Sequence, residues 1–113
     1  MSVTIYHNPR CSKSRQTLEI LRENGVDPKI VEYLDTPPSA AELKDILAKL
    51  DKTAAQIVRK KEAAEEGIDV AALDNDALIK ALSAHPRALE RPIVVKGNQA
   101  RIGRPPESVL EII

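Results

Sequence analysis

The alternation of apolar and polar residues predicts a strand, a helix and a second strand at the start of the chain. Residues 3–6 and residues 29–33 are rich in strand-favouring side chains. Residues 12–24 carry apolar positions at helical spacing, and Asn24-Gly25 is a typical helix end. A strand, helix and strand of this length favour parallel pairing of the strands through a right-handed crossover.

The middle of the chain is predicted to be helical. Ser39 and Glu42 have the spacing of a capping box, so we expect a helix over residues 39–50. Residues 53–84 also have a helical pattern throughout. Breaks are expected near residues 59–61 and at Gly67, with a further N-cap at Asp74.

The last part of the chain is predicted to return to the sheet. Residues 93–95 and 100–102 favour strands on either side of Gly97-Asn98, which indicates a β-hairpin. Pro105-Pro106 is expected to open a final helix. The order of elements is that of an α/β, thioredoxin-like fold, with a mixed four-stranded sheet flanked by helices and a helical insertion. Residues 1–113 are expected to form a single domain of this kind.

Composition and charge exclude several classes of protein. The chain has 113 residues with 17 basic and 17 acidic side chains, so its formal net charge is zero. A protein that binds nucleic acid usually carries net positive charge, so this class is not indicated. No segment approaches the roughly 20 apolar residues that span a bilayer, and we expect a cytoplasmic protein without membrane contact. A single cysteine excludes an intramolecular disulfide and a four-cysteine zinc site, and no metal is expected.

That cysteine, Cys11, is the candidate for chemistry. It lies between a strand end and a helix start, where unpaired backbone N–H groups favour a thiolate. Lowering its pKa from ~8.5 to ~6.5 requires about 2.7 kcal/mol, whereas a helix dipole supplies only ~0.3–1 kcal/mol. The further donors within four residues are His7, Arg10, Ser12, Lys13, Ser14 and Arg15. We therefore expect an ionised thiol at neutral pH; the alternative is a small buried apolar residue.

The segment His7-Asn8-Pro9-Arg10-Cys11-Ser12-Lys13-Ser14-Arg15 resembles the glutaredoxin-coupled arsenate reductases, the ArsC family, and in particular its short YfgD-like members. Four later blocks extend the resemblance over nearly the whole chain: Tyr33-Leu34 before Thr36-Pro37-Pro38, Arg59-Lys60-Lys61-Glu62, Arg91-Pro92-Ile93-Val94-Val95 and Gly103-Arg104-Pro105-Pro106-Glu107. The resemblance implies an enzyme that reduces arsenate to arsenite through a cysteine thiolate adduct.

The resemblance also implies roles for individual residues. Cys11 corresponds to the nucleophile, and His7 and Arg15 to catalytic residues that tune it. The implied substrate-binding residues are Arg59, Arg91, Arg104 and Ser14. A guanidinium is always charged and its planar fork of donors suits a tetrahedral oxyanion. Pro92 is expected to be the cis-proline common in thioredoxin-like proteins.

Glutathione as co-substrate and glutaredoxin are the electron donors that the resemblance implies, with no bound cofactor. External donors agree with the sequence, because Ser14 stands where a dithiol oxidoreductase has its second cysteine. The substrate is expected to be arsenate or a similar oxyanion, and the protein is expected to act as a monomer.

Three alternatives can be weighed against the residues. A low-molecular-weight phosphatase loop requires an arginine where this chain has Thr17. A related Spx-like redox-responsive transcription regulator, which binds RNA polymerase, relies on a two-cysteine switch that is absent here. A glutathione-dependent thiol oxidoreductase without arsenate activity remains open.

Overall fold

Four strands and four α-helices form about half of the chain in the computed structural model, which describes residues 2–113. The strands are β1 (Val3–His7), β2 (Lys29–Glu32), β3 (Ile93–Lys96) and β4 (Gln99–Ile102). The α-helices are α1 (Ser12–Glu23), α2 (Ala40–Leu50), α3 (Lys60–Glu65) and α4 (Asn75–Ala84). Short 3-10 helices span Ala54–Ile57, Pro86–Ala88 and Pro106–Glu111. None of the helices in residues 2–113 is long and apolar enough to cross a membrane.

The chain divides into two compact units. The sheet unit comprises the residues up to Thr36 together with Arg91–Ile113, and the helical unit comprises Pro37–Glu90. The sheet unit contains all four strands with α1 and the last 3-10 helix, and the helical unit contains α2, α3 and α4. The single domain expected over residues 1–113 stays a prediction.

The sheet has the strand order β2-β1-β3-β4 and is mixed, as predicted. β1 is parallel to β2 and antiparallel to β3, and β3 and β4 form the expected hairpin. Its core contains Val3, Ile5, Leu18, Leu21, Val94, Val109 and Ile112. Because side chains alternate between the faces of a strand, the buried positions of β1 are Val3, Ile5 and His7. The alternation that builds the core therefore also buries His7 at the end of the strand.

The helical unit begins with the capping box that the sequence predicts. The backbone N–H of Glu42 donates to the Ser39 hydroxyl, and the Glu42 carboxylate accepts from the backbone N–H of Ser39, both at 3.1 Å. The apolar face of α2 is buried, as its spacing predicted. Its buried residues are Leu43, Ile46, Leu47 and Leu50.

The prediction that residues 53–84 are helical throughout is wrong for Val58 and Arg59, where Val58 forms a β-bridge with Leu89, and for residues 66–74. Gly67 has a left-handed backbone with φ of 75°, and the N–H of Ile68 closes the end of α3 on the carbonyl of Ala63 at 2.8 Å. α4 restarts only where Asp74 accepts a hydrogen bond from the N–H of Ala77 at 2.8 Å. The expected break at Gly67 and the N-cap at Asp74 are therefore correct, but the segment between them is not helical. The break expected near residues 59–61 occurs just before Lys60, where α3 begins.

Candidate active site

Cys11 is the N-cap residue of α1, on the turn that follows β1. Its backbone is extended, with φ of −93° and ψ of 122°, and its N–H donates to the carbonyl of Asn8 at 3.0 Å. Its own carbonyl accepts the first helical hydrogen bond, from the N–H of Arg15 at 3.0 Å. The side chain is partly exposed. This placement disfavours the alternative of a buried apolar cysteine.

The groups around the sulfur favour a thiolate. Burial acts in the opposite direction and by itself raises the pKa of the Cys11 thiol. The backbone N–H of Ser14, the guanidinium of Arg91 and the backbone N–H of Lys13 together outweigh it. The pKa of Cys11 is therefore lowered from its ordinary value, in the direction that the sequence predicted.

Arg91 and Arg104 reach the sulfur because of the register of the sheet. Ile93 at the start of β3 pairs with Ile102 at the end of β4, so the residues just outside the hairpin lie side by side. Ile93 also pairs with Tyr6 near the end of β1. Cys11 and both arginines therefore lie at the same end of the strands.

The contacts of these arginines are specific. Nη2 of Arg104 lies 3.6 Å from Sγ of Cys11, and its Nε donates to the backbone carbonyl of Arg91 at 2.7 Å. The Arg91 guanidinium is itself a hydrogen-bond donor to the thiol. The Arg91–Pro92 peptide bond is cis, as predicted, and so is Arg104–Pro105. The Arg104 guanidinium thus binds the backbone of Arg91, and both guanidinium groups face the sulfur.

His7 and Ser14 form a buried pair at the end of β1. Nδ1 of His7 lies 2.6 Å from the hydroxyl oxygen of Ser14, which also accepts the backbone N–H of Asn8 at 3.0 Å. Burial lowers the pKa of His7; Glu32 opposes this shift, and Arg22 and Arg15 add to it.

The Ser14 hydroxyl was expected to be a donor beside the sulfur, and its position differs from that expectation. It is fully buried and directed to His7, so Ser14 faces the thiol through its backbone N–H. This hydrogen bond is one of the backbone N–H donors that the sequence predicts at the start of the helix. The sequence did not point to Glu32, which the register of the parallel strands β1 and β2 places opposite His7.

Two further predicted residues make contacts of their own. Arg15 is exposed, and its Nη1 donates to the carbonyl of Pro9 at 2.9 Å, which braces the turn before Cys11. Arg59 lies in the helical unit as the N-cap residue of α3. Its guanidinium lies 2.8 Å from the Glu90 carboxylate and 3.4 Å from that of Glu62. The structure thus brings Arg91 and Arg104 to Cys11 and pairs Arg59 with two carboxylates.

Comparison with known proteins identifies the family. Residues 6–112 match the model of the ArsC family. This chain belongs to the ArsC family. It is 53% identical to the uncharacterized protein YfgD of Escherichia coli (strain K12), over 98% of this chain and 96% of that protein. It is 47% identical to an arsenate reductase of Neisseria meningitidis, over 98% of this chain and 97% of the relative. The resemblance drawn from the sequence blocks is confirmed.

A solved structure supports the same fold for this ArsC-family chain. The arsenate reductase from Vibrio cholerae aligns with a TM-score of 0.94 at 47% identity, over 100% of this chain and 98% of that one. The predicted thioredoxin-like fold is confirmed. At the candidate site of this fold, a partly exposed thiol with a lowered pKa and two guanidinium groups face the same space, an arrangement that can attack and hold a small anion.

Proposed function

We propose that this protein is an arsenate reductase that reduces arsenate to arsenite through an adduct with Cys11, with glutathione and glutaredoxin as electron donors. The observation that carries the proposal is the position of the sulfur, 3.6 Å from Nη2 of Arg104 and hydrogen-bonded by Arg91. A thiolate attack on an oxyanion requires a nucleophile and cationic anion-binding groups at one place. Full-length alignment with proteins named arsenate reductase supports this choice of oxyanion.

In the first step, the Cys11 thiolate attacks arsenic. A protonated arsenate oxygen leaves as water, and a cysteine–arsenate thioester forms. The guanidinium groups of Arg91 and Arg104 bind the remaining oxygens and stabilise the negative charge that concentrates on them in the transition state. The backbone N–H groups of Ser14 and Lys13 stabilise the anionic form of the sulfur that attacks.

The two electrons of the reduction come from external thiols. Cys11 is the only cysteine of the 113 residues, and it ends the cycle as a thiol, as it began. Glutathione attacks the arsenic of the adduct, and a second protonated oxygen leaves as water. A glutaredoxin thiolate then takes the glutathione sulfur as a mixed disulfide, and the electron pair of the broken sulfur–arsenic bond reduces As(V) to As(III). Water cleaves the remaining bond between Cys11 and arsenic, which releases arsenite and restores the thiol. No bound cofactor takes part in this cycle. Because the donors are cytoplasmic thiols, we propose that the protein acts in the cytoplasm. We also propose that it acts as a monomer.

The proposal assigns the other predicted residues graded roles. His7 and Ser14 act together, because their hydrogen bond holds the turn that carries Cys11. Arg15 supports the same turn through the carbonyl of Pro9. Arg59 contributes positive charge to oxyanion binding, but less than Arg104, because two carboxylates already pair with its guanidinium.

The test measures arsenite directly. Purified protein is incubated with arsenate, glutathione, a glutaredoxin and a system that regenerates reduced glutathione. We expect arsenite from the wild type and none from Cys11→Ser. Arg101→Ala is the matched control, since Arg101 is an arginine of the same unit that pairs with Glu111 at 2.8 Å. Arsenite release by this variant should equal that of the wild type.

Other outcomes would replace the proposal with one of the alternatives. A wild-type protein that forms no arsenite but reduces a glutathione mixed disulfide would be a thiol oxidoreductase without arsenate activity. A protein that does neither but binds purified RNA polymerase would be a regulator. Arsenite release that persists in Cys11→Ser would remove the cysteine from the mechanism.

A further inference from the structure

Gly103 is packed tightly between two other parts of the sheet unit. A Cβ atom built on it would lie 2.8 Å from Cγ of Pro92 and 3.1 Å from Cγ2 of Thr17, and closer still to Oγ1 of Thr17. Real Cβ atoms essentially never have neighbours closer than 3.0 Å, so the contacts with Oγ1 of Thr17 and Cγ of Pro92 leave no room for a methyl group at position 103. Glycine is required here by the close approach of neighbours, as it often is where backbone meets packed atoms.

The neighbours of Gly103 cannot move aside easily. Thr17 is fully buried in α1, and its hydroxyl donates to the carbonyl of Lys13 at 2.8 Å. Pro92 is fully buried and has a rigid ring. The backbone N–H of Gly103 donates to the carbonyl of Pro92 at 2.9 Å. A side chain at position 103 would therefore displace the Gly103 backbone itself.

This contact connects the three parts of the candidate site. Thr17 belongs to the helix whose first turn carries Cys11, and Pro92 directly follows Arg91. Gly103 directly precedes Arg104, whose Nη2 lies 3.6 Å from the sulfur. A displacement of the Gly103 backbone away from Thr17 and Pro92 therefore also moves Arg104 and its guanidinium.

We propose that Gly103 is a positioning residue, and that its close contact with Thr17 and Pro92 sets the distance between the Arg104 guanidinium and the Cys11 sulfur. The inference rests on the proposed function for its consequence in oxyanion reduction. The geometry itself concerns only the thiol and the arginine. It can therefore be tested without arsenate.

The test compares Gly103→Ala, Thr17→Ala and the double variant by the rate of Cys11 alkylation with iodoacetamide as a function of pH. Gly103→Ala should raise the midpoint by about half a pH unit or more, because a cation moves away from the thiolate. In the double variant, two of the three crowding atoms are gone. Its midpoint should return towards that of Thr17→Ala alone.

Two further variants separate positioning from general destabilisation. Gly25→Ala is the matched control, because Gly25 has a φ of 76° and open space around it. That variant should lose stability without a change in the alkylation midpoint. In an Arg104→Ala background, Gly103→Ala should cause no additional shift, since its effect passes through that guanidinium.

A wild-type midpoint in folded Gly103→Ala would overturn the proposal, and so would a double variant whose midpoint equals that of Gly103→Ala. If Gly103→Ala does not fold, recovery of folding in the double variant supports the contact, and failure of both to fold counts against it. Arsenite release provides a separate readout, where Gly103→Ala should raise KM for arsenate more than it lowers kcat. Absence of arsenite release by the wild type would refute the proposed function and leave the alkylation comparison decisive for Gly103.

Discussion

Replacing Arg104 with alanine removes one of the two guanidinium groups beside the sulfur, and the structure sets the size of the effect. Nη2 of Arg104 lies 3.6 Å from Sγ of Cys11. Two unit charges at that distance interact by about 1 kcal/mol in water and about 4–5 kcal/mol at an effective dielectric constant of about 20. Arg104 is exposed, so solvent screens the pair and the lower value applies. Losing this stabilisation of about 1 kcal/mol should raise the pKa of the Cys11 thiol.

Alkylation kinetics measure this change. The rate constant for iodoacetamide is determined across a pH series, and its midpoint gives the pKa of the thiol. Arg101→Ala serves as the control, because it removes an equal charge that pairs with Glu111 instead of the sulfur. Its midpoint should equal that of the wild type. In the arsenite assay, loss of a charged hydrogen bond of about 1.5–3 kcal/mol predicts an increase in KM of about 10- to 150-fold for Arg104→Ala.

One result would refute this reasoning. Cooperative unfolding would show that Arg104→Ala is folded. If the folded variant keeps the wild-type midpoint of alkylation against pH, the Arg104 guanidinium does not act on the sulfur at 3.6 Å. A midpoint that shifts equally in Arg101→Ala would show that overall charge, and not this contact, changes the thiol.

Three other predictions concern His7, Arg59 and Ser39. Burial lowers the pKa of His7, so the fold prefers the neutral ring; the resulting stability is complete above about pH 6.5 and is lost as pH falls through the folded-state pKa. An NMR midpoint for the His7 ring above 6.5 would contradict this. Arg59→Ala should lower the free energy of unfolding by about 1–2 kcal/mol, because its pairs with Glu90 and Glu62 are lost, and should raise KM for arsenate less than Arg104→Ala. Urea denaturation and arsenite release test both parts, and an equal effect on KM would contradict the second. Ser39→Ala should cost about 1 kcal/mol by removing the cap of α2, and an unchanged urea midpoint would disprove it.

Most of the secondary structure follows from local pattern. The alternation in β1, the helical spacing in α2 and the hairpin turn at Gly97-Asn98 each act over a few residues, so they can be recognised without knowing the fold. Local pattern alone also predicts a helix over residues 66–74, which the structure does not contain. Their composition tolerates a helix, but Gly67 and the N-cap at Asp74 end one helix and delay the next.

The candidate site also combines features that follow from local sequence with features that depend on the tertiary structure. The position of Cys11 at the start of a helix is a local property, and it predicts the backbone donors that lower its pKa. The Ser14 hydroxyl is also local in sequence, yet the buried face of β1 directs it to His7. Whether a nearby polar side chain faces the sulfur or the core depends on which face of the strand and helix it occupies in three dimensions.

The order of residues by itself determined that one cysteine would follow a strand and begin a helix, and that any electrons would come from outside the chain. Only the tertiary structure decided which distant arginines would reach that cysteine. The pairing of Ile93 with Ile102 and with Tyr6 brings Arg91 and Arg104 to the same edge of the sheet. Charge attracts over a few ångströms, whereas strand register is set by the whole buried face. The family resemblance named Arg91 and Arg104, but only the register of the sheet shows why these two arginines lie beside Cys11.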